Sequence, residues 1–317
     1  KRQSQYRSNT GSEPKVWARN LMNAVNANSE AKPLEPLMIG SGRIIREQIP
    51  VWVRRRLLEL WQKFKGSAKR PTVLIVSDEP HIPWELAYLR VDVDNETDGF
   101  FGAEFIVGRW VRGCEEVAGS FVPAYPPPTE VTVKSMAVVT GDYSKTKNWN
   151  KLEGAEQEAK DLIASYHATK VNADNQLATW LQKTADVDLI HFAVHGNWSM
   201  TGSKDGVVLI DGTTLTPTEV RAADFKNEPF VFLNACQLGQ GDETLGDYGG
   251  IAAAFLRAGA GGVVASLWNV DDKEAGKLAV NFYKQVKNTI DSPGELLQKE
   301  RSTYKQNTKS KLSLAFA

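Results

Sequence analysis

Two short segments of the sequence end in residues that can carry out covalent chemistry. "VDLIHFAV" leads into His195 and Gly196, and "PFVFLNA" leads into Cys236. A cysteine thiolate is a strong nucleophile, and a nearby imidazole promotes its formation and can protonate a leaving amine. Glycine has no Cβ, so the N–H of Gly196 could approach a substrate carbonyl and form an oxyanion hole with the N–H of Cys236. These segments predict nucleophilic catalysis by a His195–Cys236 dyad.

The elements around these residues explain how the two side chains could meet. Both segments are short, continuous apolar runs, which are typical of strands buried in a parallel sheet, and helical patterns alternate with them. The carboxyl ends of parallel strands open at one edge of a sheet. Between them the sequence predicts a hairpin at Asp211-Gly212 and a helix in "TPTEVRAADF", enough for a right-handed crossover. We therefore expect His195 and Cys236 to follow neighbouring strands.

Other histidines and cysteines are interpreted without a catalytic role. A buried cysteine is common in strands because it packs as a small hydrophobe, and Cys114 lies away from the two strand ends. His191 and His195 are spaced for a shared zinc ion on a helix. On a strand this spacing spans about 13 Å, too far for one metal. His191 is therefore interpreted as a core or supporting histidine, and no metal or organic cofactor is predicted.

Composition narrows the class of protein. The chain has 317 residues, with 38 basic and 38 acidic side chains. Balanced charge argues against a general affinity for nucleic acid or an anionic membrane. Only two cysteines are present, which favours a reducing cytoplasm over a disulfide framework. No apolar run approaches the about 20 residues of a membrane span. The chain begins at Lys1 rather than Met, which is consistent with a fragment of a longer protein.

A proline-rich segment, "VPAYPPPTEV", predicts a linker between two regions. Residues 1–128 show helical patterns, a short strand over 72–76 and a further helix in "IPWELAYL". They lack a paired His-Gly and Cys, so we expect a docking unit or a partial, inactive counterpart of residues 129–317. Residues 129–317 alternate strands with helices. The predicted fold is α/β: a mostly parallel sheet with helices on both faces, preceded by a smaller α+β region.

Three motifs in the second region carry a family resemblance. "LIHFAVHG", "FVFLNACQLG" and "GGIAAAFLRAGAGGVVASLWNVDD" resemble, in this order, the CHAT family of caspase-like cysteine peptidases, relatives of separase and the caspases. The resemblance covers about residues 131–317, and "VLIVSDEPHIPWELAYL" is similar to the segment that precedes the protease core. It implies a caspase-like fold, with His195 as the catalytic histidine and Cys236 as the nucleophile. It also implies a bacterial protein, gated by a sensor domain or partner and acting in defence or cell death.

Substrate preference can be predicted from residues near the dyad. Asn234 shares a strand face with Cys236 and is expected on the floor of the first substrate pocket. "SLWNVDDKE" is similar to a separase segment that forms an arginine pocket, with Asp272 at the matching position. Further acidic candidates nearby are Asp271, Asp205 and Asp211. Alternatively these acids are solvated, or Asp271 or Asp272 caps the following helix. The caspase signature has Gln-Ala-Cys where this chain has Asn-Ala-Cys, so we expect a basic or neutral residue before the scissile bond.

The predicted function is a cytoplasmic cysteine endopeptidase that cleaves a protein substrate through an acyl-enzyme, with His195 as the base for hydrolysis. The expected partners are a protein substrate and a regulatory sensor, without direct nucleic acid or membrane binding. One alternative is a catalytically silent interaction module with the same fold. Another is a small-molecule hydrolase, which would need a closed apolar pocket rather than an open groove.

Overall fold

The computed structural model describes residues 14–28, 34–67, 69–77, 81–89, 99–111, 113–117, 120–124, 133–183, 185–197, 206–235, 243–244, 247–248, 250–288, 292–303 and 311–316. The α-helices are α1 (Pro14–Asn26), α2 (Leu34–Gln48), α3 (Val51–Phe64), α4 (Phe101–Glu104), α5 (Glu153–Tyr166), α6 (Leu177–Lys183), α7 (Pro217–Val220), α8 (Ile251–Arg257), α9 (Asp272–Asn288) and α10 (Pro293–Ser302). None of the helices within these ranges is long and apolar enough to cross a membrane.

The strands are β1 (Thr72–Ser77), β2 (Ile106–Val111), β3 (Gly113–Val117), β4 (Ser120–Ala124), β5 (Met136–Thr140), β6 (Thr169–Asn172), β7 (Leu189–Ala193), β8 (Gly196–Asn197), β9 (Gly206–Val208), β10 (Thr214–Leu215), β11 (Phe230–Asn234), β12 (Glu243–Thr244), β13 (Asp247–Tyr248) and β14 (Gly262–Ala265). Single 3-10 turns form at Trp84–Leu86 and Lys311–Leu314.

The chain divides into two compact units. The first consists of Lys1–Ile75, Glu79–Arg109 and Ser292–Leu314, and the second of Val76–Asp78, Trp110–Asp291 and Ala315–Ala317. Helix α10 thus belongs to the first unit, because it packs against α4. The boundary predicted between residues 128 and 129 falls in a segment, 125–132, outside the described residues, and it stays a prediction.

A five-stranded sheet forms the centre of the second unit, in the order β14-β11-β7-β5-β6. All neighbouring strands in it are parallel. The strands are short and apolar, and every residue of β5 and β7 is buried, as expected for strands covered on both faces. The predicted α/β fold with a mostly parallel sheet is confirmed.

Helices cover both faces of this sheet. On one face, alternate strand residues such as Val139, Phe192 and Leu233 form a core with side chains of α6, α7 and α8. On the opposite face, Phe232 packs edge-on against Phe282 of α9, with ring centroids 5.3 Å apart. Helix α5 packs along α9 and β5 on that side. Two-residue periodicity of the strands therefore assigns each side chain to one of two helix layers.

The connection from β7 to β11 contains the predicted hairpin and helix. β9 and β10 pair antiparallel, and the turn between them holds Asp211 and Gly212, whose φ of 85° suits glycine. Thr216 then caps α7: its hydroxyl accepts from the N–H of Glu219, and the Glu219 side chain accepts from the N–H of Thr216. The sequence signals for both elements are confirmed.

The segment "IPWELAYL" differs from its predicted helix. It forms only the 3-10 turn at Trp84–Leu86, after which Tyr88 bridges to Phe100. The N–H of Tyr88 donates to the carbonyl of Gly42 instead of to its own segment. Glu85 is buried and pairs with Arg109 at 3.2 Å. These contacts within the first unit hold the segment extended, so tertiary packing overrides its helical pattern.

Candidate active site

His195 lies just beyond β7, at the carboxyl edge of the parallel sheet. The chain leaves β5 for its outer neighbour β6, then returns to β7 on the other side of β5 and continues to β11 and β14. The strand order therefore reverses between β5 and β7. In open α/β sheets the loops after two such strands separate and leave a crevice for a ligand. His195 stands at this crevice, next to the loop that follows β5.

The loop after β5 fixes the imidazole of His195. The Nε2 atom lies 2.7 Å from the carbonyl oxygen of Asn150. A carbonyl only accepts, so this bond requires a proton on Nε2 and leaves Nδ1 as the basic nitrogen of the neutral ring. Tyr143 packs edge-on against the ring at 4.7 Å between centroids, and Trp149 packs at 4.9 Å. The ring orientation and its tautomer are thereby both set by one loop.

The environment of His195 favours the neutral imidazole. Partial burial lowers its pKa from 6.5, while the hydrogen bond to Asn150 and the charge of Asp272 act in the opposite direction and are smaller. At neutral pH the ring is therefore ready to accept a proton at Nδ1.

The backbone after His195 is fixed by a small antiparallel sheet. Gly196 and Asn197 form β8 and pair with Val207 and Gly206 of β9. The N–H of Val208 also donates to the carbonyl of His195 at 2.9 Å. Gly196 is thus part of an ordered strand immediately after the histidine, as an oxyanion donor requires.

Strand β11 ends beside β7, which confirms that the two predicted segments form neighbouring parallel strands. Asn234 pairs with Ala193, so the last residues of the two strands are partners. The carbonyl of Ala235 accepts from the hydroxyl of Ser266 at 2.7 Å, which fixes the residue before the cysteine. Cys236 itself lies outside the described residues, as does Asp205. The predicted pairing of His195 with Cys236 stays a prediction.

Asn234 is held by an acid that the sequence analysis did not identify. Its Nδ2 lies 2.9 Å and 2.8 Å from the two carboxylate oxygens of Glu158. Glu158 is buried in α5, one helical turn after Gly154 and on the same inward stripe as Ala155 and Leu162. This position was the available signal: in "EGAEQEAKDL", one glutamate falls on the apolar stripe of the helix.

Asp272 binds the start of α5. One carboxylate oxygen accepts from the N–H of Gly154 at 2.6 Å, and the other accepts from the N–H of Ala155 at 3.0 Å. These N–H groups belong to the first turn of the helix, where backbone donors lack partners within the helix. A Cβ on Gly154 would lie 2.7 Å from the Asp272 carboxyl carbon, so glycine permits this approach. The carboxylate predicted to bind substrate is thus already coordinated by backbone.

Two other predicted acidic residues, Asp271 and Asp211, accept hydrogen bonds from their own local segments. Asp271 accepts from the N–H groups of Lys273 and Glu274, both at 3.1 Å, which is the cap at the start of α9. Asp211 accepts from the N–H of Thr213 at 2.9 Å and from its hydroxyl at 2.6 Å. These hydrogen bonds lower the pKa of Asp211. The structure therefore provides the capping contact that had been one of the two interpretations for Asp271.

His191 lies in the middle of β7 and is fully buried. Its Nδ1 is 2.8 Å from the Tyr283 hydroxyl, and its Nε2 is 2.9 Å from Glu158 without the alignment of a hydrogen bond. It is a supporting histidine, as its place in the strand predicts. Within the described ranges, no group of three or more His, Cys, Asp or Glu side chains could hold a metal ion.

A family model for the CHAT domain matches residues 52–313. The chain belongs to the CHAT domain family. The CHAT match runs from α3 to the last 3-10 turn, so it includes segments of both compact units. No curated protein matches the sequence.

One similar solved structure is the separase–securin complex of Saccharomyces cerevisiae. Its match to this CHAT chain has 17% identity and a TM-score of 0.40, and it covers 61% of this chain. The match covers only 12% of the chain in that structure.

Proposed function

We propose that the chain is a cysteine endopeptidase that cleaves a protein substrate with Cys236 as nucleophile and His195 as general base and acid. The observation that carries this proposal is the imidazole of His195. Its Nε2 is bound to the Asn150 carbonyl, and it stands at the sheet edge beside the strand that leads into Cys236. Membership of the CHAT family, which resembles caspase-like peptidases, supports the same reading.

The reaction requires four proton transfers, all of them through Nδ1 of His195. Nδ1 of His195 takes the thiol proton, and the sulfur of Cys236 attacks the peptide carbonyl carbon to form a C–S bond. The oxyanion accepts hydrogen bonds from the N–H groups of Gly196 and Cys236. When the C–N bond breaks, His195 donates its proton to the leaving amine. Water then attacks the acyl carbon with His195 as base. The C–S bond breaks to release the acid product, and His195 returns its proton to the sulfur, which restores the thiol.

Substrate preference and regulation are part of the proposal. We expect a basic or neutral residue before the scissile bond, and control of the enzyme by a sensor domain or protein partner. Action in bacterial defence or cell death is proposed from the family resemblance alone, and action in the cytoplasm is proposed from the presence of only two cysteines in the sequence. The substrate is expected to lie extended along the sheet edge.

Labelling by a cysteine-directed fluorescent peptide probe tests the dyad. The wild type should label, Cys236→Ala should not, and His195→Gln should label slowly because no base accepts the thiol proton. Cys114→Ala is the matched control, since it removes the only other cysteine and should leave labelling unchanged. Mass spectrometry of proteins cut by the wild type but not by Cys236→Ala would then identify substrates.

The opposite labelling results contradict the proposal. Labelling that persists in Cys236→Ala and disappears in Cys114→Ala would show that Cys114, and not Cys236, is the reactive cysteine. No labelling of the wild type, with every candidate partner present, would favour a catalytically silent interaction module.

A further inference from the structure

A buried polar network lies beneath the end of β11. The amide nitrogen of Asn234, the last residue of the strand, lies within hydrogen-bonding distance of both carboxylate oxygens of Glu158, which share one of its N–H donors. Glu158 and His191 are both fully buried, and His191 contacts the buried hydroxyl of Tyr283. Burying a carboxylate removes its hydration, which destabilises the fold unless hydrogen bonds to neighbouring groups compensate. The contacts of Glu158 therefore suggest a specific role for this side chain.

The hydrogen bonds define the donor and acceptor role of each group. Both oxygens of Glu158 face the Asn234 amide nitrogen at hydrogen-bonding distance, so both act as acceptors toward it. Burial raises the pKa of Tyr283 well above its ordinary value, and the charge of Glu158 acts in the same direction. The Tyr283 hydroxyl therefore keeps its proton and can donate it to Nδ1 of His191. This leaves the proton of His191 on Nε2, facing Glu158.

The same stretch of chain also holds the histidine side of the site. Asn150, just before α5, accepts from His195, and Asp272 binds the first turn of α5 while its charge acts on His195. Glu158 lies one turn further along the same helix and binds the end of the neighbouring strand. Asn150 and Glu158 thus contact the two segments that lead to the candidate dyad.

We infer that Glu158 is a positioning residue for the nucleophile. By binding Asn234, it fixes the end of β11, two residues before Cys236, relative to β7 and His195. The inference rests on the proposed function. It assigns Asn234 to holding the strand end, with its amide nitrogen directed at Glu158 and not at a substrate.

Exchanging the polar groups tests this inference. In Glu158→Gln, an amide NH2 takes the place of one acceptor and opposes the NH2 of Asn234. We expect kcat on a cleaved peptide to fall about 10- to 100-fold, as for small displacements of reacting groups, with KM nearly unchanged. The double variant Glu158→Gln/Asn234→Asp restores a donor facing an acceptor, with the roles reversed. It should recover at least about tenfold of the loss, as coupled positions do in a double-mutant cycle.

Two controls separate positioning from a general loss of folding. Glu153→Gln neutralises an exposed acid on the first turn of α5, which lies 3.7 Å from Lys273, and should leave kcat unchanged. All rates are measured well below the unfolding midpoint of each variant, which is determined in parallel. A structural role alone would lower the midpoint without lowering kcat in the folded enzyme.

The outcomes distinguish this inference from the proposed function. A wild type that neither labels nor cleaves refutes the proposed function and this inference with it. An active wild type with an equally active Glu158→Gln variant refutes only the inference. So does a loss confined to KM, or a folded double variant that recovers no activity.

Discussion

Replacing Asp272 by alanine removes the carboxylate that binds the first turn of α5. The two hydrogen bonds, to the N–H groups of Gly154 and Ala155, are 2.6 Å and 3.0 Å long and join residues far apart in the sequence. Loss of a helix-capping side chain costs about 0.5–2 kcal/mol, and hydrogen bonds to a charged group contribute about 1.5–3 kcal/mol. Asp272 is half-buried. We therefore expect Asp272→Ala to lower the free energy of unfolding by about 2 kcal/mol.

Thermal unfolding measures this effect. For a unit of this size, 1 kcal/mol corresponds to about 2–4 °C, so the midpoint should fall by about 4–8 °C. Asp272→Asn keeps one acceptor oxygen and should lose about half as much. Asp271→Asn is the matched control: asparagine caps a helix as well as aspartate does, so the neighbouring change should cost only a few tenths of a kcal/mol.

The reasoning would be refuted by an Asp272→Ala protein with an unchanged midpoint. If that variant also showed a raised KM for peptides with lysine or arginine before the cleaved bond, the carboxylate would be a substrate contact. The observed contacts with α5 would then contribute nothing measurable to stability.

Three further predictions follow from the same region. As the pH is lowered, the rate of Cys236 alkylation should stay constant until the pH is below 6.5, because burial lowers the pKa of His195. A rate that already falls above pH 6.5 would contradict this. Below 6.5 the unfolded chain binds more protons at His195 than the folded chain, so stability should decrease with falling pH through that window, less so in His195→Gln. Gly154→Ala should lower the free energy of unfolding, measured by denaturant titration, by about 1–3 kcal/mol, because its Cβ would meet Asp272 at 2.7 Å. Gly40→Ala in α2 is the control: its Cβ meets nothing within 4 Å, so this change should be neutral or stabilising.

The parallel sheet could be predicted from the sequence because its signals are local. "FVFLN" is a continuous apolar run, and it forms β11 with four of five residues buried. The Asp211-Gly212 turn and the Thr216 cap each depend on residues a few positions apart. Such patterns are readable without knowledge of the fold, since they reflect strand burial and turn chemistry.

The supporting contacts of the site could not be predicted in the same way. Glu158 meets Asn234 across 76 positions, and Asp272 meets Gly154 across 118. In sequence, Asp272 belongs to a charged segment and looks like solvated surface, whereas Glu158 falls on the apolar stripe of its helix. The stripe predicts that Glu158 is buried, but the partners of both acids depend on how distant elements pack, such as α5 on α9, and no short-range pattern encodes that packing. The helix predicted for "IPWELAYL" is wrong for a related reason, because contacts of Tyr88 with Gly42 and Phe100 outweigh the helical pattern of the segment.

The start of α5 bears on the choice of substrate. Free N–H groups at a helix N-terminus form a natural site for an anion, because the helix dipole and the unpaired donors both favour negative charge. Near His195, the N–H groups of Gly154 and Ala155 could have bound an acidic substrate side chain. Asp272 occupies both donors and adds its own negative charge beside the histidine. An acidic side chain of a substrate that reached the start of α5 would meet the negative charge of Asp272 and not free N–H donors. This supports the expected preference for a basic or neutral residue before the scissile bond.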